Sequence, residues 1–170
     1  VSEGSFALSA PTNSFSSTNL LSSPGDGLDY YPQTGVPHKF DFHAMGTGDF
    51  GNRSRWFVYW GHSSNSQIDN GYRLQISYGD TSGSDNRQLV LSRVDGGSRN
   101  VLNSTNMALP ENSFYEIEIL HKSNGDIITR AIDGGSEIGR VTATDSTYLT
   151  GGQFDHRRVG HGHIRDTPDD

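Results

Sequence analysis

The stretch from Arg55 to Gly61 concentrates the side chains with the most to offer a ligand. On a strand, Trp56, Val58 and Trp60 point one way, and Phe57 and Tyr59 point the other. One apolar face is all that a sandwich strand needs, so a second aromatic surface must be covered by something else. Aromatic rings stack on the flat C–H faces of sugars, whose hydroxyls take hydrogen bonds from neighbouring polar groups. Arg73, Gln75, Asp41 and His43 are expected as those neighbours on adjacent strands. Phe57, Tyr59, Trp56, Trp60, Asp41, His43, Arg73 and Gln75 therefore make up the candidate glycan site. Burial of the second ring face by the long N-terminal segment, or by another subunit, is the other reading of the same pattern.

Other groups could do different chemistry. Glu116 and Glu118 lie two apart on a strand, so their side chains leave one face about 7 Å apart. Retaining glycosidases set a carboxylate pair about 5 Å apart across the scissile bond. A solvated polar strand face has the same sequence. The loop from Asp80 to Asn86 is rich in oxygen donors, and Asp80, Asp85 and Asn86 are candidate calcium ligands. No Glu closes it as in an EF-hand, and a solvated hairpin turn explains it equally. His156, His161 and His163 could meet a transition metal, but Gly160 and Gly162 make the piece read as flexible. Asn52-Arg53-Ser54 and Asn103-Ser104-Thr105 are N-glycosylation sequons in predicted loops. No phosphate loop, nucleotide fingerprint or nucleophile elbow is present.

Strands must position these groups. Tyr72, Leu74, Ile76 and Tyr78 alternate with Arg73, Gln75 and Ser77; Tyr115, Ile117 and Ile119 alternate with Glu116 and Glu118; Phe40, Phe42 and Ala44 alternate with Asp41 and His43. A period of two gives each strand one core face and one wet face. Strands are predicted near Ser5 to Ser9, His38 to Met45, Arg55 to Gly61, Tyr72 to Tyr78, Arg87 to Val94 and Arg99 to Leu102. Others are predicted near Phe114 to His121, Asp126 to Ile132, Glu137 to Ala143 and Gln153 to Arg158. Asp69-Asn70-Gly71, Asp95-Gly96-Gly97, Asn124-Gly125-Asp126 and Asp133-Gly134-Gly135 supply hairpin turns. The expected fold is an all-β antiparallel sandwich of jelly-roll type, with about ten strands and no long helix. Residues 1–36 read as an edge strand and loop packed on the same domain, 37–160 as the sandwich, and 161–170 as a polar tail.

Composition narrows the partners. The 170 residues suit one domain. No apolar run reaches the roughly 20 residues of a membrane helix, which argues against direct membrane insertion. No basic, then apolar, leader opens the chain, and a start at Val1 suggests a processed piece of something longer. Without cysteine there is neither a disulfide nor a thiolate metal site. The formal net charge is −7, Asp outnumbers Glu, and Lys39 and Lys122 are the only lysines. Nucleic acid rewards a basic face, so it is not an expected partner. Acidic, lysine-poor surfaces are typical of salt-loving organisms, and Asp-rich extracellular modules share the signature.

The order Asn70-Gly71-Tyr72-Arg73-Leu74, Leu89-Val90-Leu91-Ser92-Arg93 and Phe114-Tyr115-Glu116-Ile117-Glu118-Ile119 resembles the concanavalin A-like lectin and laminin-G-like jelly rolls. Gly139-Arg140-Val141-Thr142-Ala143-Thr144-Asp145 and the closing Gly151-Gly152-Gln153-Phe154 add to the resemblance, which covers about Pro37 to Arg158. It implies the sandwich fold and a role in glycan binding, adhesion, polysaccharide hydrolysis or surface structure, and members often hold a calcium ion at the rim. Related endoglucanases carry Glu-x-Asp-x-x-Glu, whereas Glu116-Ile117-Glu118-Ile119-Leu120-His121 lacks the third carboxylate. The expectation is a non-catalytic lectin-like module, outside the cell or on a virion, with a surface glycan as partner. Calcium is the one cofactor its residues suggest. A structural domain acting through subunit contacts, as in a homo-oligomer, is the alternative; a polysaccharide-degrading enzyme ranks below both.

Overall fold

A computed structural model describes residues 34–35, 38–44, 54–62, 70–78, 88–107, 113–154 and 158–165. Its strands, in chain order, are β1 (His38–Ala44), β2 (Ser54–His62), β3 (Gly71–Tyr78), β4 (Gln88–Asp95), β5 (Ser98–Asn106) and β6 (Ser113–His121). They continue with β7 (Asp126–Asp133), β8 (Ser136–Thr144), β9 (Leu149–Thr150), β10 (Gln153–Phe154) and β11 (Arg158–Arg165). No helix occurs among the described residues. Sheet A has the order β1-β6-β7-β8, sheet B has the order β11-β2-β3-β4-β5, and β9 and β10 form a small hairpin. Every pairing is antiparallel.

Alternation decides which side chains meet between the layers. From sheet B, Val58, Trp60, Tyr72, Leu74, Ile76, Leu89 and Leu91 face inward; from sheet A, Tyr115, Ile117, Ile119, Ile127, Ala131 and Val141 meet them. Removing a fully buried Leu or Ile from such a core costs about 2–5 kcal/mol. Strand β7 follows the same rule with a polar member: buried Thr129 sits between Ile127 and Ala131 and donates its hydroxyl to the Val141 carbonyl at 3.2 Å. That bond removes the penalty of an unpaired hydroxyl in the core.

Three connections are closed by paired glycines. Gly96 and Gly97, Gly134 and Gly135, and Gly151 and Gly152 have φ values of 53° and 86°, 53° and 83°, and 55° and 83°. Two successive left-handed residues make the tight hairpin whose twist matches its strands. A different constraint acts at Gly139 in β8, where a Cβ would lie 2.7 Å from the Met107 Cβ.

The structure departs from expectation in the last third of sheet B. Strand β5 runs on to Asn106, although most of it is exposed and it has no apolar period. Its bonds to β4 sustain it at the sheet edge. The strand expected from Gln153 to Arg158 is two pieces, β10 and β11. Residues His161 to Arg165, expected in a tail, belong to β11 and pair with β2. The expected edge strand at Ser5 to Ser9 lies outside the described residues.

Candidate functional site

The outer face of sheet B holds the ring candidates. Phe57 stands opposite Gln75, and Tyr59 opposite Arg73, so the register brings four of the expected residues together. The Arg73 guanidinium carbon lies 4.8 Å from the Phe57 ring centroid, a cation–π arrangement. Arg73 Nε has no hydrogen-bond partner among the described residues. Phe57 and Tyr59 pack at 5.9 Å, and Tyr59 meets the His62 ring edge-on at 5.1 Å. Burial raises the Tyr59 phenol above its usual range, against the opposing pull of Arg73.

The rings are not open. Phe57 and Tyr59 are each 2% exposed, and Val90, Ser92 and Gln75 beside them are buried as well. Trp60 points to the opposite side, into the core, where it stacks on Tyr72 at 5.7 Å and is 1% exposed. Its expected place on a ligand face is thereby corrected: alternation sends it inward with Val58. The side chain of Trp56 lies outside the described residues.

Asp41 and His43 need a second correction. They were expected beside the ring strand, but β1 pairs with β6 in sheet A, where Asp41 stands opposite Glu116 and His43 opposite Phe114. They belong to the other layer. Asp80, Asp85 and Asn86, like Asn52 and His156, lie outside the described residues. Among the described residues no three potential metal ligands converge. Asn103 sits in β5 and not in a loop; its Nδ2 donates to the Thr142 carbonyl at 2.7 Å, fastening the edge of sheet B to β8.

The outer face of sheet A carries a row of alternating charge. Glu118 on β6 is engaged by Arg130 Nε on β7; Arg130 Nη1 lies 3.9 Å from Glu137 on β8; and Glu137 takes bonds of 2.9 and 2.5 Å from Arg140. The Arg140 hydrogen bond holds the Glu137 carboxyl below the usual range. By register, Lys39 continues the row opposite Glu118, and Arg130 stands opposite Arg140. Glu118 is buried, whereas Arg130, Glu137 and Arg140 remain open to solvent at 39%, 36% and 46% of their side chains. Half-buried Leu120, Ile128 and Ile132 border the row. Such a surface presents paired donors and acceptors at sheet spacing, the arrangement that vicinal hydroxyls can bridge.

A third cluster lies at one end of the sandwich and gave no signal in the sequence. The Asp145 carboxylate accepts from the Tyr72 hydroxyl at 2.9 Å, from Arg93 Nη1 at 2.5 Å and from the Thr147 amide at 2.9 Å. Burial opposes ionisation of Asp145, but these bonds outweigh it and hold the carboxyl below its usual range. Tyr148 donates to Asp95 at 2.5 Å, and burial, followed by that acceptor, pushes its phenol up to about 12. Behind them His121 lies buried against Trp60, Tyr72 and Phe154. These residues fasten the turn after β8 onto sheet B.

The sequence matches no protein-family profile and no curated protein. Among solved structures, the chain is similar to the carbohydrate-binding module CBM66 from Bacillus subtilis, with a TM-score of 0.53 and 12% identity. The fold is an antiparallel β-sandwich of two sheets. The likeness covers 76% of this chain and 66% of that one, so the chain spans just under two thirds of its length. Looser superpositions reach sheep galectin-11 in complex with glycerol (TM-score 0.47, 11% identity, 80% of this chain and 96% of that one). Another is the Caenorhabditis elegans galectin LEC-6 (0.32, 15%, 81% and 94%). These add nothing to the fold assignment. No helix among the described residues is long and apolar enough to cross a membrane.

Proposed function

We propose that this chain is a non-catalytic carbohydrate-recognition module that works outside the cell or on a virus particle. The reading is supported by the lectin-like sandwich, and it is carried by the row Glu118–Arg130–Glu137–Arg140 on the outer face of sheet A. Carboxylates there accept from sugar hydroxyls, guanidinium groups donate to them, and Leu120, Ile128 and Ile132 offer apolar edges to the ring. Asp41 and His43 belong to this layer by register, so two of the expected polar contacts stay in the proposal. The covered rings of Phe57 and Tyr59 lie on the outer face of the other sheet and are closed to a ligand.

A hydrolase is the weaker reading. A glycosidase needs one carboxyl that gives up a proton, and Glu118, engaged by Arg130, is placed as an acceptor. The test is a glycan array probed with the parent chain and with Arg130→Ala and Glu118→Gln. Retention that fails in both variants, without release of reducing ends by the parent, is the expected result. Retention unchanged in both sinks this site. Repeating the array with EDTA tests calcium at Asp80, Asp85 and Asn86.

A further inference from the structure

His121, the last residue of β6, is tied to three separate parts of the chain. Its Nδ1 accepts from the Trp60 indole N–H at 3.3 Å, and its Nε2 lies 3.0 Å from the Asp145 carbonyl. A carbonyl can only accept, so Nε2 carries the proton and Nδ1 is bare. The backbone carbonyl of His121 accepts from the Gly35 amide at 2.8 Å. The Tyr72 and Phe154 rings close the remaining sides edge-on, at 4.7 and 5.0 Å.

No place is left for a second proton. A proton on Nδ1 would face the indole N–H of Trp60, donor against donor. The charged and titratable groups around the ring offer no relief. From β2, His62 is engaged through Nε2 with the Tyr72 carbonyl at 3.1 Å. From β3, the Tyr72 hydroxyl donates to Asp145. From β4, Arg93 occupies the other Asp145 oxygen. From the turn after β8, Tyr148 donates its hydroxyl to Asp95 and its amide to Tyr72 Oη, and Lys122, next in the chain, is exposed. The Asp145 carboxylate already takes three bonds, and its pull on the imidazole is smaller than the cost of burial.

We propose that His121 is an acid-operated latch: on taking up a proton it releases Trp60, the Asp145 turn and the Thr34–Gly35 segment together, while the two sheets keep their pairing. The three released parts lie at one end of the sandwich. Local opening of such a unit, below the cost of global unfolding, is ordinary behaviour for connections outside the sheets, and the turn's other ties, from Tyr72 and Arg93 to Asp145 and from Thr34 Oγ1 to the Gly152 carbonyl, open with it. Burial lowers the imidazole to about 4 from 6.5, against the smaller opposing pull of Asp145. An opened ring, back near 6.5, binds protons more readily, so acid favours the open form. The opening equilibrium starts to rise below pH 6.5 and approaches a roughly 300-fold increase well below pH 4.

The test is amide hydrogen exchange on the full chain from pH 7 to 3.5, corrected for intrinsic rates. Exchange at Gly35 and Tyr148 is expected to rise by about 100-fold or more relative to Leu74 and Ile117. His121→Gln keeps an acceptor and a donor but takes no proton, so its Gly35 and Tyr148 amides should show no such rise. An equal rise in the variant, or loss of Leu74 and Ile117 protection at the same pH, overturns the latch. The ring titration of His121 in the parent chain is an independent check. Its midpoint must lie below 6.5, within the pH range over which Gly35 exchange rises, and an ordinary midpoint without that rise overturns the proposal even if the variant does not fold.

Discussion

The two outer faces of this sandwich reverse what their residues suggest. Sheet B turns rings outward, and those rings are covered; sheet A turns charges outward, and much of that row stays open to solvent. Side-chain type alone would assign the ligand to the rings. Under the proposed glycan-binding function exposure favours the charges, because a stacking surface works only where a sugar can reach it. Phe57 and Tyr59 gain free energy from burial within the chain, and nothing remains of them for a guest.

The largest effect that could break this contrast comes from Phe57→Ala. Truncating a buried aromatic should lower stability by about 3–5 kcal/mol in urea denaturation and leave glycan retention by the folded fraction unchanged. Retention lost along with the ring would return the ligand to sheet B. Acid comes next and acts on neither face: His121 is depressed to about 4 by burial, so its contribution is intact above pH 6.5. Falling pH should remove up to about 3 kcal/mol, measured as a lower urea midpoint, and His121→Gln should flatten that dependence.

On sheet A the expected losses are smaller. Arg130→Ala should weaken glycan retention by roughly 10- to 100-fold, the range for one charge-assisted hydrogen bond, and Tyr59→Phe should leave it unchanged. Salt sharpens the contrast most gently. Raising it from about 0.05 to 0.5 M should weaken glycan binding at the open row by a few-fold, because exposed charges are screened. Equal binding at both salts would place the contacts away from the row.

Much of the fold was legible because alternation is a local property. Tyr72, Leu74 and Ile76, or Tyr115, Ile117 and Ile119, announce their core face without reference to any other strand. Pairing is not local, and there the reading failed. Nothing in Asp41 or His43 says that β1 joins β6 and not β2. Gly160 and Gly162 suggested a loose tail, yet in β11 they stand opposite Tyr59 and Phe57, where a residue without a side chain leaves room beside a large ring. Strand β5 hid for the opposite reason, since an edge strand bonded on one side needs no apolar stripe. Of the candidate site, the quartet Phe57, Tyr59, Arg73 and Gln75 was foreseen as a group, but its burial was only one of two readings. The row running from Glu118 to Arg140 and the His121–Asp145 node unite residues from different strands, and no spacing rule connects them.

Asn103 has a consequence for how the chain can be produced. The nitrogen that clips β5 to Thr142 is the same atom an oligosaccharyl transferase would modify, since Asn103-Ser104-Thr105 is an acceptor triplet. Material secreted by a yeast or animal host and carrying a sugar there has a single N–H left for that seam, while bacterially made material has both. Mass spectrometry of that single peptide therefore tells a preparation with the native amide at this seam from one in which a sugar crowds it.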